Sequence, residues 1–199
     1  MHMFHDALVS FAERRVIYMK KIGIVTDSHS SISQEEAKKL GIFVLPMPFY
    51  IDGECYYESV TLSRELFFEK LTSGADISTS QPSPTAVMEI WDKALEEYEK
   101  ILYMPISSGL SSSYNTAMML AQEEKYEGRV LVVDDGQVAA PLHQMILDTL
   151  DMIEKGYEAE HIRELLEKAG DRMMIYIALH RGPAIPPAGV SAPLAFPEE

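Results

Sequence analysis

The sequence is poor in cysteine and has no long apolar stretch of the kind that membrane proteins need. Its single cysteine among 199 residues, Cys55, has no partner for an internal disulfide, which suits a reducing cytosol. We interpret Cys55 as a small buried hydrophobic residue rather than as a reactive thiol. Because no segment is long and apolar enough to cross a bilayer, we expect a soluble, cytoplasmic protein without stable membrane insertion.

Basic residues are also scarce. The chain has 17 Lys and Arg against 31 Asp and Glu, which gives a formal net charge of −14 at pH 7. Such a surface repels polyphosphate, so the composition argues against nucleic acid as a partner and against binding to an anionic membrane surface. Hydrophobic residues make up 47% of the chain. That fraction is enough for one domain, or one domain and part of another, to bury a core.

The common catalytic motifs are missing. The chain has no GxxxxGK[ST] loop for a nucleotide phosphate, no GxGxxG, no GxSxG and no pair of histidines at metal-ligand spacing. His29 and His143 lie near polar loops, and we interpret each as a lone solvated histidine. Asp134 and Asp135 follow a predicted strand and could hold a metal or a sugar hydroxyl, but an exposed turn is the favoured interpretation. We therefore expect no catalytic residue, no metal site and no cofactor.

What the sequence does contain is an alternation of strand and helix patterns. Strands are predicted at 21–26, 43–50, 100–106, 129–133 and 171–179, and helices at 33–40, 63–73, 84–100, 111–124, 142–155 and 158–168. Alternation of this kind predicts an α/β fold whose mainly parallel sheet is covered by helices on both faces. Pro46 and Pro48 favour an edge position for the second strand, and the helical spacing around Trp91 places this side chain in the core.

Three loops rich in hydroxyl groups carry the functional signal: residues 27–33, 78–83 and 107–113. Each precedes or opens a helix, and ligands of open parallel sheets bind beyond the carboxyl ends of the strands. Hydroxyls and free N–H groups at a helix N-terminus can bind a small anion such as a carboxylate or phosphate. Ser and Thr are also the ordinary N-cap residues, so a purely structural role stays open. The two densest groups are Thr79-Ser80 and Ser107-Ser108.

Four segments in this order resemble the DegV family of bacterial fatty-acid-binding proteins. They are Val25-Thr26-Asp27-Ser28, Thr79-Ser80-Gln81-Pro82-Ser83, Ser107-Ser108-Gly109-Leu110-Ser111 and Val132-Val133-Asp134. The pair formed by TSQPS and SSxLS is specific, and the resemblance covers about 19–179. Members of this family serve as the FakB-type subunit of fatty acid kinase.

The resemblance implies a binding protein that performs no chemistry alone. It implies that one fatty acid lies between an N-terminal α/β domain and a C-terminal domain, with its carboxylate at Thr79 and Ser108. Ser80, Ser107, Asp27 and Ser28 complete the expected ligand-binding set. A partner kinase, the catalytic subunit of fatty acid kinase, then converts the bound carboxylate to an acyl phosphate.

The sequence departs from the family pattern in three places. Ser112-Ser113-Tyr114 stands where the family usually has Gly-Thr-Tyr, and Asp135 stands where it usually has Ser, which adds negative charge near the expected anion site. The segment after Leu179 matches neither the Gly-Gly-Arg-like segment nor the histidine of the family's second domain. We therefore expect a truncated member: an extension at 1–18, the N-terminal domain at 19–170, the first strand of an incomplete second domain at 171–179, and a proline-rich tail at 180–199.

Two alternatives to a fatty-acid carrier remain at this point. One is an enzyme related to dihydroxyacetone kinase or to sugar phosphotransfer proteins, for which His29 is the candidate nucleophile. The other is a non-functional fragment that folds only as the N-terminal domain and exposes apolar surface.

Overall fold

A computed structural model describes residues 20–57 and 60–175. The predicted extension, residues 176–179 and the tail lie outside these ranges. The strands are β1 (Lys20–Asp27), β2 (Phe43–Leu45), β3 (Pro48–Ile51), β4 (Glu54–Tyr57), β5 (Ile77–Thr79), β6 (Tyr98–Met104) and β7 (Val130–Val132). The helices are α1 (Gln34–Leu40), α2 (Arg64–Thr72), α3 (Pro84–Leu95), α4 (Ser113–Leu120), α5 (Ala139–Glu154) and α6 (Ala159–Gly170).

A parallel sheet with the strand order β2-β1-β6-β7 forms the centre of the fold. Alternate side chains of its strands point to opposite faces, as strand geometry requires. On β6, Leu102 and Met104 join the core beneath α1, α5 and α6, whereas Ile101 and Tyr103 join the core beneath α3 and α4. Both faces of the sheet are therefore covered by helices, which confirms the predicted fold class.

Trp91 is the largest side chain of the core beneath α3 and α4. It is fully buried, as its helical spacing predicted. Its ring packs edge-on against Tyr103 and Tyr126, with centroids 5.4 and 5.2 Å apart. Edge-to-face contacts of this kind add to the free energy of burying the rings. The Tyr126 hydroxyl also donates to Asp92 on α3 (3.0 Å). This contact explains why α4 ends at Leu120 instead of continuing to residue 124, because the chain turns back to bury Tyr126 against α3.

A second sheet, with the antiparallel order β4-β3-β5, was not predicted. Its strand β3 comes from the single strand expected at 43–50, which divides around Pro46. The first part, β2, is an edge strand of the parallel sheet, as the prolines indicated. Strand β5 overlaps the start of the loop that was expected at 78–83, because Phe49, Tyr50 and Ile51 pair with residues 77–79.

Two other expectations were wrong. Cys55 is exposed, because β4 is an edge strand of the small sheet and most of its residues face solvent. Helix α3 ends at Leu95 rather than near residue 100, because Tyr98 begins β6 and pairs with Lys20. Of the strand predicted at 171–179, the described residues 171–175 form a turn after α6 and a largely exposed segment, and its apolar part at 176–179 lies outside the described ranges. No helix within residues 20–57 and 60–175 is long and apolar enough to span a membrane.

Gly23 on β1 is required by its neighbour Tyr98. A Cβ added at residue 23 would lie 2.6 Å from the ring of Tyr98, which is closer than side-chain carbons approach each other. The ring cannot move freely, because the Tyr98 hydroxyl donates to the carbonyl of Gly41 after α1 (2.9 Å). Glycine at position 23 therefore allows β6 to begin against β1.

We expect Gly23→Ala to lower the free energy of unfolding by about 1 to 3 kcal/mol, since the new methyl group overpacks a filled core. Urea denaturation followed by circular dichroism measures the change. Gly109→Ala is the matched control, because its Cβ would make an ordinary contact 3.5 Å from the Ser107 Oγ. Equal destabilisation by the two substitutions would contradict the explanation.

Candidate functional site

The carboxyl ends of β1, β6 and β7 meet at one edge of the parallel sheet, and the buried carboxylate of Asp27 connects the first two. Its Oδ2 accepts a hydrogen bond from the backbone N–H of Ile106 (2.9 Å), and its Oδ1 accepts one from the backbone N–H of His29 (2.9 Å). The Nδ1 of His29 lies 3.2 Å from the same Oδ1. Asp27 is fully buried, so these donors replace the water that an ionised carboxylate would otherwise require.

Other hydroxyls of the first loop also make internal hydrogen bonds. Thr26 donates to the carbonyl of Met104 on β6 (2.7 Å), and Ser30 donates to the carbonyl of Asp27 (2.8 Å). The Ser28 hydroxyl accepts from the backbone N–H of Met47, between β2 and β3 (3.2 Å). The structure thus places Asp27 and Ser28 within the framework of this edge.

The loop at residues 107–113 follows β6 and folds tightly around Ser107. The buried Ser107 hydroxyl accepts from the N–H of Gly109 (3.2 Å), and its carbonyl accepts from the N–H groups of Leu110 and Ser111 (3.0 and 3.1 Å). Ser108 is exposed. Its hydroxyl makes no hydrogen bond to the part of the chain that the structure describes, which leaves it free for a ligand.

The segment after β7, residues 133–137, holds the loop at residues 107–113 in place. The N–H of Ser107 donates to the carbonyl of Gln137 (2.9 Å), and the N–H of Ser108 donates to Oδ1 of Asp134 (3.2 Å). The same Oδ1 also accepts from the N–H of Gly136 (3.3 Å). The conformation of the Ser107-Ser108 pair therefore depends on the adjacent acidic segment.

Thr79 and Ser80 reach the site by a different route from the one expected. Thr79 ends β5 and Ser80 follows it, so both lie next to the antiparallel sheet and not at the end of a strand of the parallel sheet. The side chain of Gln81 accepts from the Thr116 hydroxyl on α4 (3.2 Å), which connects this loop to the helix that follows Ser107-Ser108. Ser80 donates to the carbonyl of Gln81 (3.1 Å). The exposed Thr79 hydroxyl has no hydrogen-bond partner in residues 20–57 and 60–175.

Structural roles explain some of the remaining hydroxyls. Ser83 is the N-cap of α3: its side chain accepts from the N–H of Ala86 (3.2 Å), and Pro84 occupies the first helical position. Ser111 and Ser113 share a hydrogen bond between their hydroxyls (2.8 Å) at the start of α4. The structure therefore separates hydroxyls that stabilise loops from hydroxyls that are free within the described ranges, and Thr79 and Ser108 are among the free ones.

Several interpretations of acidic and histidine residues were wrong. Asp135 does not lie in an exposed turn but is only 1% exposed. Burial, together with the nearby Asp134 and Asp27, raises the pKa of Asp135 to about 7. His29 and His143 are not lone solvated histidines, since each has a ring nitrogen 3.2 Å from a carboxylate, that of Asp27 and that of Glu36 respectively. The buried Gln137, which sequence reasoning missed, has no motif that would have identified it.

The loops offer hydrogen-bond donors to an anion without Lys or Arg. Residues 26–33, 79–83, 106–113 and 134–137 contain one histidine and no Lys or Arg. Among the described residues, no group of three or more His, Cys, Asp or Glu side chains is arranged to hold a metal ion. The arrangement suits a single negative charge held by hydroxyl groups more than it suits a polyphosphate.

Comparison with known proteins gives consistent results. Residues 21–181 match a family model described as an uncharacterised protein of the DegV family. A DegV domain-containing protein of Deinococcus radiodurans is 34% identical over 74% of this chain and 52% of its own. A DegV domain-containing 15.5 kDa protein of Staphylococcus aureus is 30% identical over 68% of this chain and 95% of its own.

Solved structures show the same fold. A structure from Thermus thermophilus, described as showing fatty acid binding of a DegV family protein, is 32% identical. It superimposes with a TM-score of 0.69 over 76% of this chain and 54% of that protein. The chain thus spans about half the length of this structure and of the Deinococcus relative.

We expect Asp27→Ala to destabilise the chain by roughly 2 kcal/mol or more, because the buried N–H of Ile106 loses its acceptor. The shift in the urea midpoint measures this change. Asp76→Ala is the control, because Asp76 is exposed and its carboxylate makes no hydrogen bond within the described ranges. A loss no larger than that of the control would show that Asp27 does not hold the two loops together.

Proposed function

The chain belongs to the DegV family, and we propose that it binds a long-chain fatty acid through the carboxylate and presents it to a partner kinase. The observation that carries this proposal is the pair of free hydroxyls on Thr79 and Ser108. They occur in the two loops of the TSQPS and SSxLS segments, which approach each other through the bond from Thr116 to Gln81. The relative from Thermus thermophilus is described as binding fatty acid.

Hydroxyl groups match the chemistry of a single carboxylate. Each Ser or Thr hydroxyl can donate one hydrogen bond to an ionised oxygen, and bonds to charged acceptors are stronger than neutral ones. A lysine or arginine would strengthen the binding of many anions. With hydroxyls alone, burial of the ligand's apolar acyl chain must supply most of the affinity. We propose Thr79 and Ser108 as the groups that contact the carboxylate, with Ser80 beside them and Ser107, Asp27 and Ser28 holding the loops.

An apolar surface next to Thr79 can receive the start of the acyl chain. Phe49 on β3 lies opposite Thr79 in the register of the small sheet, so the two side chains share one face. The Phe49 ring contacts Tyr56 and Phe67, with centroids 6.0 and 5.5 Å away. A ligand with a polar end and an apolar tail therefore matches the sequence of groups from Thr79 to this aromatic cluster.

We expect Thr79→Ala and Ser108→Ala each to weaken binding of oleate by roughly 10-fold to 100-fold, because each removes one donor to a charged acceptor. Isothermal titration of delipidated protein measures the dissociation constants. Methyl oleate, which has no ionised carboxylate, should bind more weakly than oleate to the wild type and should lose little further affinity in the variants.

Two neighbouring serines provide matched controls. Ser78 and Ser112 are exposed, and their side chains make no hydrogen bond within the described part of the chain. Ser78→Ala and Ser112→Ala should leave oleate binding unchanged. Loss of affinity in all four variants, or in none, would contradict the assignment of Thr79 and Ser108.

The proposed role as a presenting protein makes a further prediction. Incubated with ATP and oleate, the chain alone should form no acyl phosphate and no phosphohistidine, because it lacks a nucleotide loop. Addition of a fatty acid kinase catalytic subunit should yield acyl phosphate, trapped as the hydroxamate. Phosphorylation of His29 by the chain alone, abolished in His29→Asn, would instead support a phosphotransfer enzyme.

A further inference from the structure

The segment after β7 contains two buried polar side chains that are only partly satisfied. Asp135 and Gln137 are each 1% exposed. Oδ1 of Asp135 accepts from the N–H of Gln137 (2.9 Å), and Nε2 of Gln137 donates to the carbonyl of Asp135 (2.9 Å). The other oxygens, Oδ2 of Asp135 and Oε1 of Gln137, have no hydrogen-bond partner in the described ranges. An ionised Asp135 would therefore bury a charged oxygen without a donor.

The surrounding charges also disfavour an ionised Asp135. Asp134 in the same segment and Asp27 at the end of β1 are both acidic, and their negative charge opposes ionisation of Asp135. The histidine of this edge, His29, has its Nδ1 3.2 Å from Oδ1 of Asp27. Helix α6 contributes Glu167 and Arg163, which attract each other electrostatically. Glu167 also repels the nearby Asp134. No cation among the described residues compensates Asp135, whose neutral form is therefore favoured.

Helix α6 closes the space beside this segment. A Cβ added at Gly170 would lie 2.2 Å from the carbonyl oxygen of Asp135, so the end of the helix rests directly on its backbone. The backbone of Asp135 therefore cannot shift toward α6. Burial and the two acidic neighbours raise the pKa of Asp135 to about 7, in agreement with this geometry.

We propose that Asp135 is a protonated carboxylic acid in the folded chain at mildly acidic pH, and that release of this proton to solvent as the pH rises through neutrality loosens residues 133–137. The same segment holds Ser107 through the Gln137 carbonyl and Ser108 through Asp134. Ionisation would both disturb these bonds and add a negative charge beside the anion site. Asp135 is thus a positioning residue that favours carboxylate binding when protonated, an effect that rests on the proposed function.

The direction of the pH dependence follows from linkage. A carboxyl group with a folded-state pKa above its unfolded value binds more protons in the folded chain between the two values. Its contribution to stability is complete below about pH 4, the ordinary value for Asp. That contribution declines as the pH rises to about 7, the folded-state value, and it does not decline further at higher pH.

Two measurements on the unliganded protein test the protonation state of Asp135 directly. Carboxyl carbon NMR of aspartate-labelled chain should show one resonance that titrates near pH 7 and is absent in Asp135→Asn. The stability of the wild type relative to Asp135→Asn should also fall between pH 5 and pH 8, because asparagine is neutral throughout. Asp76→Asn, at an exposed site, should keep the wild-type pH dependence. Titration of every aspartate below pH 5, or equal pH slopes in wild type and Asp135→Asn, would overturn the inference.

The NMR titration of the wild type shows whether any aspartate titrates near pH 7, and loss of that resonance in either Asp135→Asn or Asp135→Ser assigns it to Asp135. Asp135→Ser provides a second neutral side chain for the stability comparison. Oleate binding at pH 6 and pH 8 then tests the effect on the site: the affinity ratio should be up to about tenfold larger for wild type than for Asp135→Asn. Equal ratios would refute the coupling and leave fatty-acid binding intact. If oleate does not bind at either pH while Asp135 still titrates near pH 7, the proposed function and its coupling to Asp135 are refuted. The assignment of a protonated Asp135 would then still be supported.

Discussion

The buried carboxylate of Asp27 is the interaction on which the edge of the sheet depends. It lies at the end of the central strand β1 and accepts backbone N–H groups from its own loop and from the loop after β6. A charge at this depth is stable only while both donors remain in place, so the two loops are held at one separation. The Ser107-Ser108 loop begins immediately after Ile106, and its geometry follows from this constraint.

Around that carboxylate, the chain divides its hydroxyl groups between structure and ligand. Thr26, Ser28, Ser30, Ser83 and Ser107 have partners inside the protein, whereas the hydroxyls of Thr79 and Ser108, like those of the control serines Ser78 and Ser112, are free within the described ranges. This division is what turns a common feature, serine-rich helix entrances, into a candidate anion site. The loop segments 26–33, 79–83, 106–113 and 134–137 carry three carboxylates and no Lys or Arg, so the electrostatics of this edge depend on whether Asp135 is protonated.

The parallel sheet and its covering helices could be predicted because period-two and helical patterns are local properties of the chain. The small antiparallel sheet could not, since β5 has only three residues and forms by pairing with β3, which lies 26 residues earlier at its nearest register partner. Cys55 was placed wrongly for a related reason: cysteine usually prefers the interior, but its exposure depends on β4 being an edge strand. Asp135 was also misplaced, because its surroundings include the end of α6, which packs against the Asp135 backbone at Gly170, 35 residues later.

By itself, the sequence determined the fold class, the family resemblance and the loops in which a ligand site was to be sought. These conclusions rest on periodicity, on composition and on short motifs, all of which are carried by neighbouring residues. Only the tertiary structure decided which hydroxyls in those loops are free and that Asp135 is buried beside Asp27. Hydrogen-bond satisfaction and desolvation depend on groups brought together from distant parts of the chain, and for that reason they are properties of the packed molecule.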